Sequence, residues 1–555
     1  MRASARLLAG LGLRLALGLA GFASLAGAAP AVARTLVYCS EGNPESLDPG
    51  RVTTTTAMNV TWQMFNTLVE FVPGTTTLRP ALAESWTVSD EGRTYDFTLR
   101  EGVHFHANAR FVPSRTLNAD DVLFSFLRQW QPDHPYHRVG GDRFGYFDDL
   151  GLGRLIQGIE RLDARRVRFR LREADATFLP NLAQAFGGIL SAEYAEHLAA
   201  AGAQEEIARA PIGTGPFRFA GFRPDLTVRY RRFPDYWRPP GADTAGETGP
   251  GAGTRPIEGL IFSITPNAAV RLTKLKAGEC QVMAFPGPAD LDAVRADPDL
   301  ALLSGEELNV AYLALNTTRP PMTDLRVRRA INLAIDRRAI VEAVYGPAGR
   351  LARNPLPPGS WAFHDGLPET PFDRAAAAGL LAEAGFAQGF EIDLWYLPVS
   401  RPYNPNGRRV ADMIQADLAR VGIRARLVTR GWSAYRAALY AGEPTAMLYG
   451  WTSDNGDPDN FMNVLLGCQA AAPGGANLAR WCDPAYEAAI QAARRTDDRE
   501  TRTRLYREAQ ILFRDAAPWV PLAHTVVHVA IRRTVTGFTM DPLGRHLFET
   551  VNLEE

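Results

Sequence analysis

The chain has 555 residues, with 60 Lys plus Arg against 61 Asp plus Glu, a net charge of -1 and 46% hydrophobic residues. That length calls for two large lobes or three or more compact units around a sizeable core, and the balanced charge excludes the basic field that gathers nucleic acid or acidic lipid. Lysine occurs only at Lys274 and Lys276, which with abundant Ala, Gly and Pro reads as codon bias.

The N-terminus, "MRASARLLAGLGLRLALGLAGFASLAGAAPAVA", sets Arg2, Arg6 and Arg14 ahead of an apolar Leu/Ala/Gly run that ends in small residues at Ala31-Val32-Ala33. Residues 1–33 are expected to be a secretory signal cleaved after Ala33, leaving a mature protein outside the cytoplasm. Pro30 and the Ala/Gly content speak against a retained membrane anchor. Cys39, Cys280, Cys468 and Cys482 make an even count, which in an exported chain favours disulfides over metal or catalysis. Three pairings are possible; Cys468 and Cys482 would close a short loop and leave Cys39 to reach Cys280. Zinc would want C-x-x-C spacing, which is absent.

"SWTVSDEGRTYDFTLREGV" reads as a hairpin, with Tyr95, Phe97 and Leu99 alternating with polar residues after an Asp90-Glu91-Gly92 turn. In "LNADDVLFSF" a helix starts at Asn118 as N-cap, with acids in its first turn. His104 and His106 fall on one face of a strand and could ligate a metal, but no third ligand accompanies them. "PIGTGPF", Pro211–Phe217, lacks the lysine and following helix of a phosphate cradle and reads as a turn. Arg238–Pro256 is Pro/Gly-rich without periodicity and reads as a flexible surface loop.

Further along, Val327, Ile331, Ala334 and Ile335 share one helical stripe, and Asp336 can cap a second helix ending at Gly346. "DRAAAAGLLAEAGF" is a helix closed by Gly385. Val410, Met413, Ile414 and Val421 share a face before Gly422, after which Ile423, Ala425 and Leu427 alternate as a strand. Helix then strand, repeated, means an α/β lobe. Two more helices, in "DPAYEAAIQAARR" and "RETRTRLYREAQILFRDAAP", precede a strand-like end from Trp519. A strand-rich beginning, an α/β middle and a strand-rich end describe one lobe interrupted by another.

No G-x-S-x-G, H-E-x-x-H or G-x-x-x-x-G-K occurs, so catalysis has no motif behind it. The densest polar stretch is "YGWTSDNGDPDNF", Tyr449–Phe461. Counted as a calcium loop from Asp454 it puts Gly456 at the third place and Leu465 at the twelfth; from Asp457 it puts Phe461 at the fifth and Cys468 at the twelfth, and neither register fits.

Together, "RTLVYCSEGNPESLDP", "LAESWTVSDEGRTYDFTLREGVHFH", "LNADDVLFSF", "PIGTGPF", "FSITPNAAVRLTKLKAGECQVM", "RPYNPNGRRVADMIQAD" and "GWTSDNGDPDNF" resemble the family 5 extracytoplasmic solute-binding proteins, in order from about Arg34 to the C-terminus. The resemblance implies an α/β, two-lobe periplasmic-binding-protein fold, class II-like, that closes as a trap and carries an extra strand-rich subdomain in its first lobe. Residues 34–306 and 526–555 would form lobe I and residues 307–525 lobe II. It implies a non-catalytic, monomeric receptor without cofactor or bound metal, holding a dipeptide between its lobes for an inner-membrane ABC permease. Oligopeptide, glutathione, nickel complexes or haem are alternative cargoes in relatives of this fold, and haem or a chemoreceptor is a further partner to consider.

By the same resemblance, Asp454 matches the carboxylate that receives the peptide's α-ammonium and Arg401 the guanidinium that receives its C-terminal carboxylate. Trp451, Tyr403 and Thr53 match neighbours lining that cleft, and the cysteine contexts imply Cys39–Cys280 and Cys468–Cys482 bridges. Asp457, Asp459 and Asn460 are expected to make turns and cap backbone groups. Two departures stand out: the Arg238–Pro256 loop is longer than the family's, and Ser453 replaces the usual Gly beside Asp454, where it is expected to narrow the pocket.

Overall fold

The computed structural model describes residues 34–238 and 256–554. The expected signal segment and residues 239–255 of the Pro/Gly-rich stretch lie outside the described residues.

The architecture turns on one strand. Trp519–Arg532 runs for 14 residues and is buried at nearly every position, as a strand covered on both faces must be. Its first part pairs antiparallel with Asn309–Leu315 and Gly349–Leu351. From Val526 onward its partners are Leu300–Glu306 and Val282–Ala284. The strand thus changes sheets between Thr525 and Val526, beside the place where the chain itself passes from Glu306 to Asn309.

Outward on one side follow Asn309–Leu315, Ala446–Thr452, Phe390–Trp395 and Ile423–Val428; on the other follow Val282–Ala284, Thr35–Ser40, Gly259–Ile264, Thr227–Arg232 and Phe217–Arg223. Phe390–Trp395 is parallel to both its neighbours. A parallel pair needs a crossover, and the helix Gly407–Ala419 supplies it before Ile423–Val428. A separate four-stranded sheet, built from Ala83–Ser89, Thr94–Leu99, Arg166–Leu171 and Ile156–Arg161, is the strand-rich subdomain.

Local chemistry explains these elements. Asp90, Glu91 and Gly92 all take positive φ in the hairpin turn, which places Tyr95, Phe97 and Leu99 in the core. Asn118 closes a capping box with Asp121 at the start of Ala119–Trp130, satisfying donors that a helix start leaves orphaned. Asp336 caps Arg337–Ile340, and the turn that follows stops at Gly346, φ +54°. Asn406 accepts the Arg409 N–H at the start of Gly407–Ala419, and Gly422 at φ +86° turns the chain into the next strand.

Cys39 is bonded to Cys280 with Cα atoms 5.9 Å apart, and Cys468 to Cys482 with Cα atoms 4.6 Å apart. His104 and His106 are not on a strand, and they part company: His104 is exposed, His106 buried. The His106 ring is 2.9 Å from the Gly215 carbonyl and accepts the Gly213 N–H. A Cβ at Gly213 or Gly215 would meet the Met64 backbone at 2.0 or 2.5 Å, so the Gly-rich turn exists to let two backbones touch.

Candidate ligand-binding site

The strand Ala446–Thr452 is buried throughout and pairs in register with Asn309–Leu315, Trp451 opposite Val310. Where it ends, the chain turns sharply and presents Asp454. Thr53, Arg401, Tyr403, Trp451 and Asp454 come together around one cavity. Its walls come from both sheets, because Glu41 and Phe285 stand on the Thr35–Ser40 side and Arg401 and Trp451 on the other.

Asp454 is half-buried by exposed area yet walled by protein. Burial pushes its carboxyl up to about 7, against hydrogen bonds from Tyr146, Asn460 and Trp451 that favour the charged form. Among the described residues no cationic side chain forms an ion pair with it. A carboxylate so placed is costly unless a partner arrives.

The neighbouring acids differ. Asp457 pairs with Arg502 at 2.8 Å and accepts the Asp459 N–H at 3.0 Å. Asp459 lies 3.6 Å from Arg494. Both are structural, bracing the turn against the two long C-terminal helices. Asn460 does more than cap: its Oδ1 accepts the Trp451 indole N–H and the Asp454 backbone N–H. Ser453 does not narrow the cavity; it is fully buried and its hydroxyl accepts the Gly456 N–H at 2.9 Å.

Arg401 follows the strand Phe390–Trp395, and a bridge to Asn404 fixes its backbone. Its guanidinium stacks over the Trp432 ring at 4.2 Å. Nη1 donates to Thr56 at 3.0 Å and lies 3.6 Å from Glu41, while Nε is buried and has no hydrogen-bond partner among the described residues. Tyr403 packs closely against Gly450, where a Cβ would sit 2.2 Å from its Cδ2. Burial raises the Tyr403 phenol, which therefore stays neutral. Thr53 is held by Glu45 through its N–H and receives Arg436 at 2.6 Å.

Several wall residues gave no sequence signal of their own: Glu41, Tyr146, Phe285, Trp432 and Tyr449. Phe285 sits at φ +46°, where a bulky residue is an outlier. Buried Arg271 holds it there by donating to the Ala284 and Phe285 carbonyls. The aromatic-rich context "RFGYF" is the one local hint at Tyr146, and "SEGNPES" around Glu41 is polar and reads only as a turn.

The model of the bacterial extracellular solute-binding proteins, family 5 Middle, matches residues 77–473. A dipeptide-binding protein of Escherichia coli strain K12 is 45% identical over 95% of this chain and 96% of its own. Haem-binding protein A of Haemophilus influenzae is 41% identical over 94% of this chain and 92% of its own. Among solved structures, a dipeptide-binding protein from Pseudoalteromonas sp. SM9913 in complex with Met-Leu superposes with a TM-score of 0.88, at 36% identity, over 94% of this chain and all of that one.

Proposed function

The chain belongs to the bacterial extracellular solute-binding proteins of family 5, and from that premise we propose that it captures dipeptides in the periplasm between two lobes and delivers them to a membrane ABC importer. It performs no chemistry on its cargo and needs no cofactor. The lobes are residues 34–306 with 526–555, and 307–525; supporting this division, the strand Trp519–Arg532 exchanges its partners at Val526.

The observation that carries the reading is Asp454, a desolvated carboxylate in an interlobe cavity, with no cationic partner among the described residues. An α-ammonium would supply the missing charge through charge-assisted hydrogen bonds. Arg401, stacked on Trp432, receives the C-terminal carboxylate with its planar fork. Trp451, Tyr403 and Thr53 wall the ligand. Two charged ends held at fixed positions select length, since an extended dipeptide spans about 7 Å at roughly 3.3–3.6 Å per residue.

Calorimetry with Ala-Ala, N-acetyl-Ala-Ala, Ala-Ala amide, alanine and tetra-Ala tests this. Ala-Ala binds tightest, the acetylated form fails, and Asp454→Asn costs about 3–5 kcal/mol, the range for stranding one charge of a buried pair. Arg401→Ala weakens the free dipeptide more than its amide. Equal affinity for blocked and free dipeptides overturns the clamp, and tighter binding of tetra-Ala reassigns the cargo to oligopeptides. The haem-binding relative motivates the second reading, haem as cargo; saturable haem binding that Ala-Ala displaces supports it.

A further inference from the structure

Arg401 is already in company. Glu41, directly after the strand Thr35–Ser40, is 8% exposed and so is Arg401. Their side chains meet across the two halves of the molecule, with Arg401 Nη1 3.6 Å from Glu41 Oε1. Thr56 bridges them, accepting from Nη1 at 3.0 Å and donating to Glu41 Oε1 at 2.5 Å. Glu41 and Arg401 both line the cavity that holds Asp454.

We propose that Glu41 is a specificity-determining residue: a resident carboxylate that shares the Arg401 guanidinium and thereby sets how strongly the receptor requires a free C-terminal carboxylate on its ligand. The inference rests on Arg401 receiving that carboxylate. A ligand carboxylate arriving at Arg401 gains a charge-assisted bond but meets the like charge of Glu41 in the same poorly solvated pocket, which takes part of the gain back. A C-terminal amide meets no such repulsion and loses less, because Glu41 leaves the guanidinium compensated. Discrimination between free and amidated ends is therefore weaker with Glu41 than without it. Thr56 is a positioning residue, fixing Nη1 so that the rest of the fork faces the ligand.

The test is the ratio of dissociation constants for Ala-Ala amide and Ala-Ala, by calorimetry, on the unaltered protein, Glu41→Gln and Glu41→Ala. Removing the charge raises this ratio about tenfold in both variants, whether or not the absolute affinities change. Glu41→Gln keeps the volume and a hydrogen-bonding end toward Thr56, and a melting curve for each variant checks that it is folded. If both ligands weaken in equal proportion, Glu41 only orders the pocket and the proposal is overturned. If the unaltered protein binds no Ala-Ala, the dipeptide reading itself fails and takes this inference with it. An unchanged ratio with Ala-Ala still bound overturns the role of Glu41 alone.

Discussion

Asn460 holds Asp454 at both ends: its amide nitrogen donates to the carboxylate Oδ2 at 3.2 Å, and its oxygen accepts the Asp454 backbone N–H at 3.0 Å. The same oxygen takes the Trp451 indole N–H at 2.8 Å. One fully buried amide therefore aims both the proposed ammonium acceptor and an aromatic wall of the pocket. Asn460→Ala strands the buried Asp454 backbone N–H, worth about 1–3 kcal/mol, and takes one acceptor from the Trp451 indole. The expected result is a lower denaturation midpoint together with at least about tenfold weaker Ala-Ala binding, since small misplacements of a charged contact are costly. Weaker folding with intact affinity would show that Asp454 is aimed by something else.

Gly450 is the floor under Tyr403. A Cβ there would lie 2.2 Å from the tyrosine ring and 2.6 Å from the Val310 carbonyl. The ring can swing aside, but the carbonyl belongs to the neighbouring strand and cannot. Gly450→Ala is expected to cost about 1–3 kcal/mol, as overpacking does, and to weaken ligand binding by displacing Tyr403 into the cavity. Thermal melting and calorimetry read the two effects separately; an unaltered melting temperature refutes the close packing.

Much of this was legible in the sequence wherever local chemistry decides the outcome. The Asp90-Glu91-Gly92 turn, the Asn118 cap and the Gly422 stop depend on a few adjacent residues, and each stands where the spacing puts it. The limits show at ends: Ile335 and Val421 continue their apolar stripes but fall just outside the helices Leu325–Ala334 and Gly407–Ala419. The strand signal after Trp519 was clear, yet nothing in its apolar run says that it serves two sheets. Glu41 and Tyr146 reach the cavity only through tertiary packing, so no periodicity marks them. Family resemblance, not periodicity, marks Asp454; the structure adds that Asp457 and Asp459 have arginine partners.

The bridge Cys468–Cys482 closes a loop with a sequence separation of 14 residues just after the Asp454 turn. By the loop-entropy model such a bridge contributes about 3 kcal/mol. Replacing both cysteines by serine is expected to lower the unfolding free energy by about that amount while leaving the Cys39–Cys280 link intact in non-reducing peptide maps. Crossed pairings in the unaltered protein, or free thiols after oxidative folding, contradict the geometry.

The Asp454 carboxyl links pH to stability and to binding with opposite signs. Its folded value near 7 lies above the ordinary unfolded value of about 3.9, so between the two the folded protein holds more protons. Stability of the ligand-free protein therefore falls as pH rises through this window, and the cost is complete above about pH 8, on the order of 1–4 kcal/mol. Asp459, pushed up to about 7, and Glu307, pushed up to about 8, add to the same trend, so the informative quantity is the difference between the unaltered protein and Asp454→Asn. That variant is expected to melt higher than the unaltered protein at pH 8, with the gap closing toward pH 4. Binding runs the other way, because an ammonium needs the ionised carboxylate: affinity for Ala-Ala should drop about tenfold per unit of pH below about 7, while the weak binding of Asp454→Asn stays flat. The two slopes come from one group, and calorimetry from pH 5 to 8 alongside melting curves measures both. An affinity for Ala-Ala that does not fall toward pH 5 would mean that the ammonium has another partner.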